Sequence, residues 1–178
     1  MNIIIVGPCG VGKSKVSELF AREAGLIYLD FDKIRSTKKS LPCFLNELNI
    51  LECLSPEINE ASPGFVLDIG GGTVFQPKFD NDNRLEQIVL LKKTYFSKIV
   101  MLIANQNILF ERYKNTKKDI SSKNQTQVCN NFKEMWNNWL VIEQPYWQRC
   151  AEKIIDTSAF NQSNTIEKII DWYKNEEY

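Results

Sequence analysis

The sequence predicts an α/β protein built on a mostly parallel sheet with helices on both faces. Three observations predict it. Short apolar runs rich in β-branched residues recur along the 178 residues. Longer segments of helical spacing separate them, as parallel strands buried on both faces require. Glycine clusters stand directly after two of the runs, at 7–12 and 70–72.

The first run, Met1-Asn2-Ile3-Ile4-Ile5-Val6, reads as a buried strand and leads into Gly7-Pro8-Cys9-Gly10-Val11-Gly12-Lys13-Ser14. Lys15 to Glu23 then has helical spacing. Gly-x-x-x-x-Gly-Lys-Ser between a strand and a helix is the pattern of a phosphate-binding P-loop. Glycine lets the backbone wrap closely around a phosphate, and the helix N-terminus favours the anion. Gly7, Cys9, Gly10, Val11, Gly12, Lys13, Ser14 and Lys15 are therefore the expected nucleotide cradle. Lys13 would reach the β- and γ-phosphates of ATP, and the Ser14 hydroxyl would bind Mg2+. A glycine-rich turn that matches by chance is the plain alternative, and the strand–loop–helix setting argues against it.

Leu26-Ile27-Tyr28-Leu29-Asp30 reads as the second strand, followed by Phe31-Asp32. Residues two apart on a strand face the same way, so Asp30 and Asp32 are expected to project together at the rim where α/β sheets place ligands. One would hold Mg2+ through water, and the other would accept a hydrogen bond or proton from an attacking hydroxyl. The competing reading makes Asp32 the cap of a helix starting at Lys33. Phe65-Val66-Leu67-Asp68-Ile69 reads as the third strand and ends in Gly70-Gly71-Gly72. Those N–H groups suit a substrate pocket, or else a tight turn. Asp68 either faces inward near the metal or lies exposed on the strand's other side.

Lys98 to Ile103 and Lys153 to Asp156 read as the fourth and fifth strands, with helical patterns at about 42–53, 83–92, 105–115, 126–140 and 163–175. The polar stretch 114–127 has almost nothing to bury and reads as a lid, or as a solvated loop. Trp136 and Trp139, spaced i, i+3 with Phe132 and Met135, read as core packing or a hinge surface rather than a stacking site.

Composition narrows the function. A hydrophobic content of 43% supports a real core, and the length suits one domain spanning 1–178. Lys+Arg and Asp+Glu both number 22, so no general affinity for nucleic acid or anionic membrane is expected. No apolar stretch approaches the ~20 residues of a membrane span, and the first strand is too short for a signal sequence. Five widely spaced cysteines with no C-x-x-C pair read as reduced thiols in a cytoplasmic protein. The chain has no histidine, so acid–base work falls to carboxylates, lysine or tyrosine. Phosphoryl transfer, which rests on positioning and electrostatics, fits that inventory.

Taken in order, GPCGVGKS, D-F-D and V-L-D-I-G-G-G resemble the shikimate kinase family of P-loop small-molecule kinases. The resemblance continues through Lys98–Ala104 and Ile108-Leu109-Phe110-Glu111-Arg112, and through Pro145-Tyr146-Trp147 to Asp156-Thr157. It implies a three-layer α/β/α P-loop fold with a five-stranded sheet of order 2-3-1-4-5 and a lid at about 114–127. It also implies ATP and Mg2+ as cofactors, with Ser14 and Asp30 at the metal and Lys13 and Asp32 catalytic. Asp32, Gly70, Gly71 and Gly72 would line the substrate pocket, and Arg112 would lie beside the adenine.

The departures concern the acceptor. Family members usually hold an acidic substrate with an arginine after the second strand and another just before the Pro-x-Tyr element. Here residues 36–62 contain no arginine, and Glu143 stands before Pro145. The lid arginine is also missing, leaving Lys114, Lys117, Lys118 and Lys123, which offer point charges rather than a bidentate fork. The expected activity is transfer of the γ-phosphoryl group of ATP to a hydroxyl of a small molecule other than shikimate, such as a neutral polyol, a sugar or an amine-bearing hydroxyl compound. The expected partner is that small molecule, with no nucleic acid and no membrane, on a monomer or weak homodimer. A nucleoside or nucleotide kinase and a nucleotide-binding regulator without turnover are the alternatives. Only five arginines serve the first, and the missing clamps favour the second. No N-K-x-D guanine signature supports a GTPase.

Overall fold

The computed structural model describes residues 1–37, 54, 58, 63–70, 81–116, 125–159 and 161–176. Its centre is a parallel five-stranded sheet: β1 (Asn2–Val6), β2 (Ile27–Asp30), β3 (Phe65–Asp68), β4 (Ser97–Ile103) and β5 (Lys153–Asp156). Their order across the sheet is β2-β3-β1-β4-β5, as the resemblance implies. Strand alternation divides the core between the two faces. Ile3 and Ile5 of β1 join Val16, Phe20, Val66, Val100 and Ile169 on one side. Ile4 joins Leu29, Leu67, Ile88, Met101, Trp139 and Trp147 on the other. All four of Ile3, Ile4, Ile5 and Val6 are buried, which is why β1 reads as a continuous apolar run rather than an alternating one.

Helix α1 (Lys13–Ala24) covers the first face with Val16, Phe20 and Ala21, and it ends at left-handed Gly25. The C-terminal helix, α7 (Gln162–Glu176), packs beside α1 through Ile166 and Ile169, and Tyr173 meets Phe20 edge-on at 5.5 Å. Between β2 and β5 lie α2 (Phe31–Thr37), α3 (Asn81–Thr94), α4 (Gln106–Thr116), α5 (Gln125–Asn138) and α6 (Gln144–Cys150). Each strand predicted from sequence is present to within one residue. The helical pattern at 42–53 lies outside the described residues.

Two expectations are corrected, and one lies largely outside the described residues. Asp30 and Asp32 do not share a strand face. Phe31 is fully buried and starts α2 at once, so Asp30 ends β2 and Asp32 sits in the helix's first turn. The cap is also Asp30 rather than Asp32, because the Lys33 N–H donates to Asp30 Oδ1 at 3.0 Å. Second, 114–116 close α4 and 125–127 open α5, so 117–124 of the expected lid, with Lys117, Lys118 and Lys123, lie outside the described residues. Lys114 pairs with Glu111 at 3.0 Å on the helix surface. Third, the helix expected to run to 140 changes at Trp139 into a π-helical turn, Trp139–Glu143, closed by the Gln144 N–H donating to the Trp139 carbonyl. Pro145 has no N–H and its ring crowds the carbonyl four residues earlier, so a wider turn accommodates it.

Candidate active site

A cavity of about 800 Å³ opens at the carboxyl ends of β1, β2 and β3. The loop from Gly7 to Gly12 forms one wall. Gly7 (φ +152°) runs so close to β4 that a Cβ there would overlap the Leu102 carbonyl oxygen. Gly12 (φ +97°) turns the chain in the left-handed region directly into α1. Lys13 is buried and donates to the Gly7 carbonyl at 2.9 Å and the Pro8 carbonyl at 3.1 Å. Its ammonium is thus held over the loop by backbone groups of the loop itself. Cys9 and Lys15 are exposed at the rim, where Lys15 pairs with Glu18 at 3.4 Å.

The opposite wall carries carboxylates. β2 and β3 align Asp30 directly beside Asp68. Asp68 is only 5% exposed, and its Oδ2 accepts a 2.6 Å hydrogen bond from the Ser14 hydroxyl. Its second oxygen, Oδ1, is buried with no hydrogen-bond partner among the described residues. Burial pushes the Asp68 carboxyl above the usual carboxylate range. Lys13 and Ser14 counter this, while Asp30 and Asp32 add to it. Asp68 therefore faces inward, which settles the two readings that the sequence left open. Asp32 is exposed to solvent at the cavity mouth, and Asp30 is half-buried, paired with Lys33 at 3.3 Å. Tyr28, one pleat before Asp30, has its phenol pushed up to about 12 by burial, then by Asp68 and Asp30. Sequence reasoning missed Tyr28, although strand alternation from Asp30 would have placed it on this side.

Trp139 and Glu143 also line the cavity. Both are buried, and both are presented by the π-helical turn. Glu143 is 5% exposed, and its Oε2 has no hydrogen-bond partner among the described residues. Burial raises its carboxyl from 4.5 to about 7, and the Lys13 charge pulls the other way. Gly70 lines the same cavity, while Gly71 and Gly72 lie outside the described residues.

A second cavity, of about 550 Å³, adjoins the first on the other side of the loop. Val11, Gly12, Arg112, Thr157 and the start of α7 line it. Arg112 donates to the Thr157 hydroxyl at 3.2 Å and to the Thr157 carbonyl at 3.1 Å, and it reaches the Val11 carbonyl at 3.5 Å. This network clamps the loop, α4 and the segment after β5 together. Arg112 borders both cavities, so the two form one cleft along the sheet's carboxyl edge. Among the described residues no group of three metal-ligating side chains converges by itself.

No protein-family model matches the chain. Curated relatives are shikimate kinases: that of Thermodesulfovibrio yellowstonii is 26% identical, over 97% of this chain and 95% of the relative. That of a Psychrobacter species is 27% identical, over 97% and 92%. Solved structures with the same fold include the shikimate kinase from Acinetobacter baumannii in complex with shikimate (TM-score 0.62, 23% identity, 98% of this chain and 93% of that one). The shikimate kinase from Bacteroides thetaiotaomicron superposes with TM-score 0.64 at 18% identity, covering 98% of both chains. A gluconokinase from Sinorhizobium meliloti gives 0.56 at 14% identity, over 99% of this chain and 97% of that one. The chain resembles the shikimate kinases along nearly its whole length, and its sheet is that of the P-loop small-molecule kinases.

Proposed function

We propose that this protein is an ATP-dependent kinase that phosphorylates a hydroxyl of a small molecule. The observation that carries the reading is the joined cleft. The Gly7–Ser14 loop lies at its centre, Arg112 and Thr157 on one side, and Asp32 and Asp68 on the other. ATP would lie with its base in the smaller cavity by Arg112 and its phosphates on the loop N–H groups. The acceptor would occupy the larger cavity beyond them.

The residues fit Mg2+. The Ser14 hydroxyl and the buried Asp68 oxygens, one of them without a hydrogen-bond partner among the described residues, suit a hard cation with Asp30 alongside. When bound, Mg2+ would neutralise phosphate charge. Asp68 thus joins Ser14 and Asp30 as a proposed holder of the metal.

The chain's own groups supply the rest. Asp32 would orient the acceptor hydroxyl and take its proton as the oxygen attacks the γ-phosphorus. The bond from that phosphorus to the β–γ bridging oxygen breaks, and ADP leaves with the electron pair. Lys13 would turn from the Gly7 and Pro8 carbonyls to the phosphates and stabilise the charge on the transferring group. A nucleotide binder without turnover remains the second reading, favoured by the missing clamp arginines. The open cavity argues against it: Glu143 and Trp139 line the acceptor space without filling it.

ADP release with Mg2+–ATP and a panel of polyols, sugars, antibiotics and nucleosides tests the proposal. Acceptor-dependent ADP release is expected, with a loss of about 100-fold in Asp32→Ala. Release that persists unchanged in Asp32→Ala would remove that residue from the mechanism. Mg2+–ATP binding without release on any acceptor would leave the binder.

A further inference from the structure

Glu143 is the charged group that the phosphoryl-transfer chemistry leaves unused. It lines the larger cavity, within reach of the Lys13 charge, and it is 5% exposed. Its Oε2 points to no hydrogen-bond partner among the described residues. A buried carboxylate oxygen without a donor is costly to keep unless something else supplies the hydrogen bond. The π-helical turn holds it there: Trp139 and Glu143 face inward together, while Leu140 and Val141 between them are exposed. Such turns are uncommon and concentrate at functional sites.

Among the described residues, the cations that line this cavity are already engaged, Lys15 by Glu18. Arg112 is the arginine lining the cavity among the described residues, and its guanidinium is engaged by Thr157 and the Val11 carbonyl. Lys13 serves the phosphates in the reading above. Lys33 is exposed and paired with Asp30. Asp32, Asp68 and Glu143 add negative charge around the same space.

We infer that Glu143 is the specificity-determining residue of the acceptor pocket, and that the acceptor is a hydroxyl compound without an anionic group that donates an O–H or N–H hydrogen bond to it. This rests on reading the larger cavity as the acceptor site. A carboxylate-bearing acceptor would meet like charge at Glu143, Asp32 and Asp68, which disfavours its binding. A neutral polyol or an amino sugar supplies the missing donor, and the ammonium of an amino sugar also balances the charge.

Calorimetric binding of three probes to the full chain with Mg2+–ADP tests it: shikimate, myo-inositol and glucosamine. In the wild type, shikimate is expected to bind at least about tenfold more weakly than the better of the other two. Shikimate affinity should rise about threefold or more in Glu143→Gln and about tenfold in Glu143→Arg, while affinity for the better non-anionic probe falls. Shikimate binding tightest to the wild type overturns the inference. So does shikimate affinity within twofold of wild type in a folded Glu143→Arg, or in Glu143→Gln where the arginine variant does not fold. ADP release by the same variants and probes, with Mg2+–ATP in place of Mg2+–ADP, separates the two claims. Turnover that prefers shikimate keeps the kinase and removes this pocket. A charge-dependent binding order, with no ADP release on any acceptor of the wider panel, keeps the pocket and removes the kinase.

Discussion

The two ends of the cleft are built in different ways. The proposed nucleotide end is made of backbone. Glycines at 7, 10 and 12 have positive φ, and the loop runs continuously into α1. Its long-range contribution is the Arg112–Thr157 clamp. The proposed acceptor end is made of side chains from segments far apart in sequence: Asp32 from α2, Asp68 from β3, and Trp139 and Glu143 from the π-helical turn. The first end tolerates little change in chain geometry. The second can be re-specified one side chain at a time, because no single backbone conformation creates it.

Four substitutions would break or sharpen the contrast. Lys13→Met is expected to have the largest effect, lowering phosphoryl transfer by about 10²–10³-fold with little change in melting temperature. ADP-release kinetics beside a thermal melt would check it, and near-normal turnover would contradict the placement of Lys13 at the phosphates.

Glu143→Gln probes the acceptor end through stability. Burial holds the folded-state carboxyl at about 7, above its unfolded value of 4.5. Between those two pH values the folded chain keeps a proton that the unfolded chain has released, so stability falls as pH rises through the window. Lys13 opposes this upward shift, while Asp32 and Asp68 share the cavity. Glu143→Gln should therefore stabilise the protein by about 3 kcal/mol at pH 8 relative to its effect at pH 4, by denaturant titration at both. An equal effect at the two pH values would show that Glu143 is not held above its ordinary range.

Gly7→Ala tests the backbone end directly. The added methyl meets the Leu102 carbonyl in a conformation that L-residues rarely adopt, so a loss of about 2–3 kcal/mol is expected in urea unfolding. Smallest is Arg112→Ala, which removes the clamp on Thr157 and Val11. It should raise the KM for ATP several-fold, about 1 kcal/mol, with kcat nearly unchanged. A fall in kcat instead would move Arg112 from the nucleotide to the reacting phosphoryl group.

Much of this was legible beforehand because it is local. The β-branched run of β1, the spacing of Gly7, Gly10, Gly12 and Lys13, and the start of α1 all lie within one continuous segment. The parallel sheet followed from apolar runs that only double burial explains, and its strand order from the family resemblance. Asp30 and Asp32 do line the cavity, but not from one strand face as the sequence suggested. Strand alternation assumes that the strand continues, and the burial of Phe31 ends it one residue earlier. The π-helical turn was illegible because its hydrophobic pattern differs from an α-helix by a single extra residue.

By itself the sequence determined the fold class, the glycine-rich turn between β1 and α1 and the absence of histidine, since each depends on residue types in short range or on composition alone. Only the tertiary structure decided that Asp68 accepts from Ser14, fifty-four positions away, and that Glu143 is buried without a donor. Both depend on which strands are neighbours and how a helix is wound, so the inward or outward direction of a carboxylate, and with it the charge of the acceptor pocket, is settled by packing.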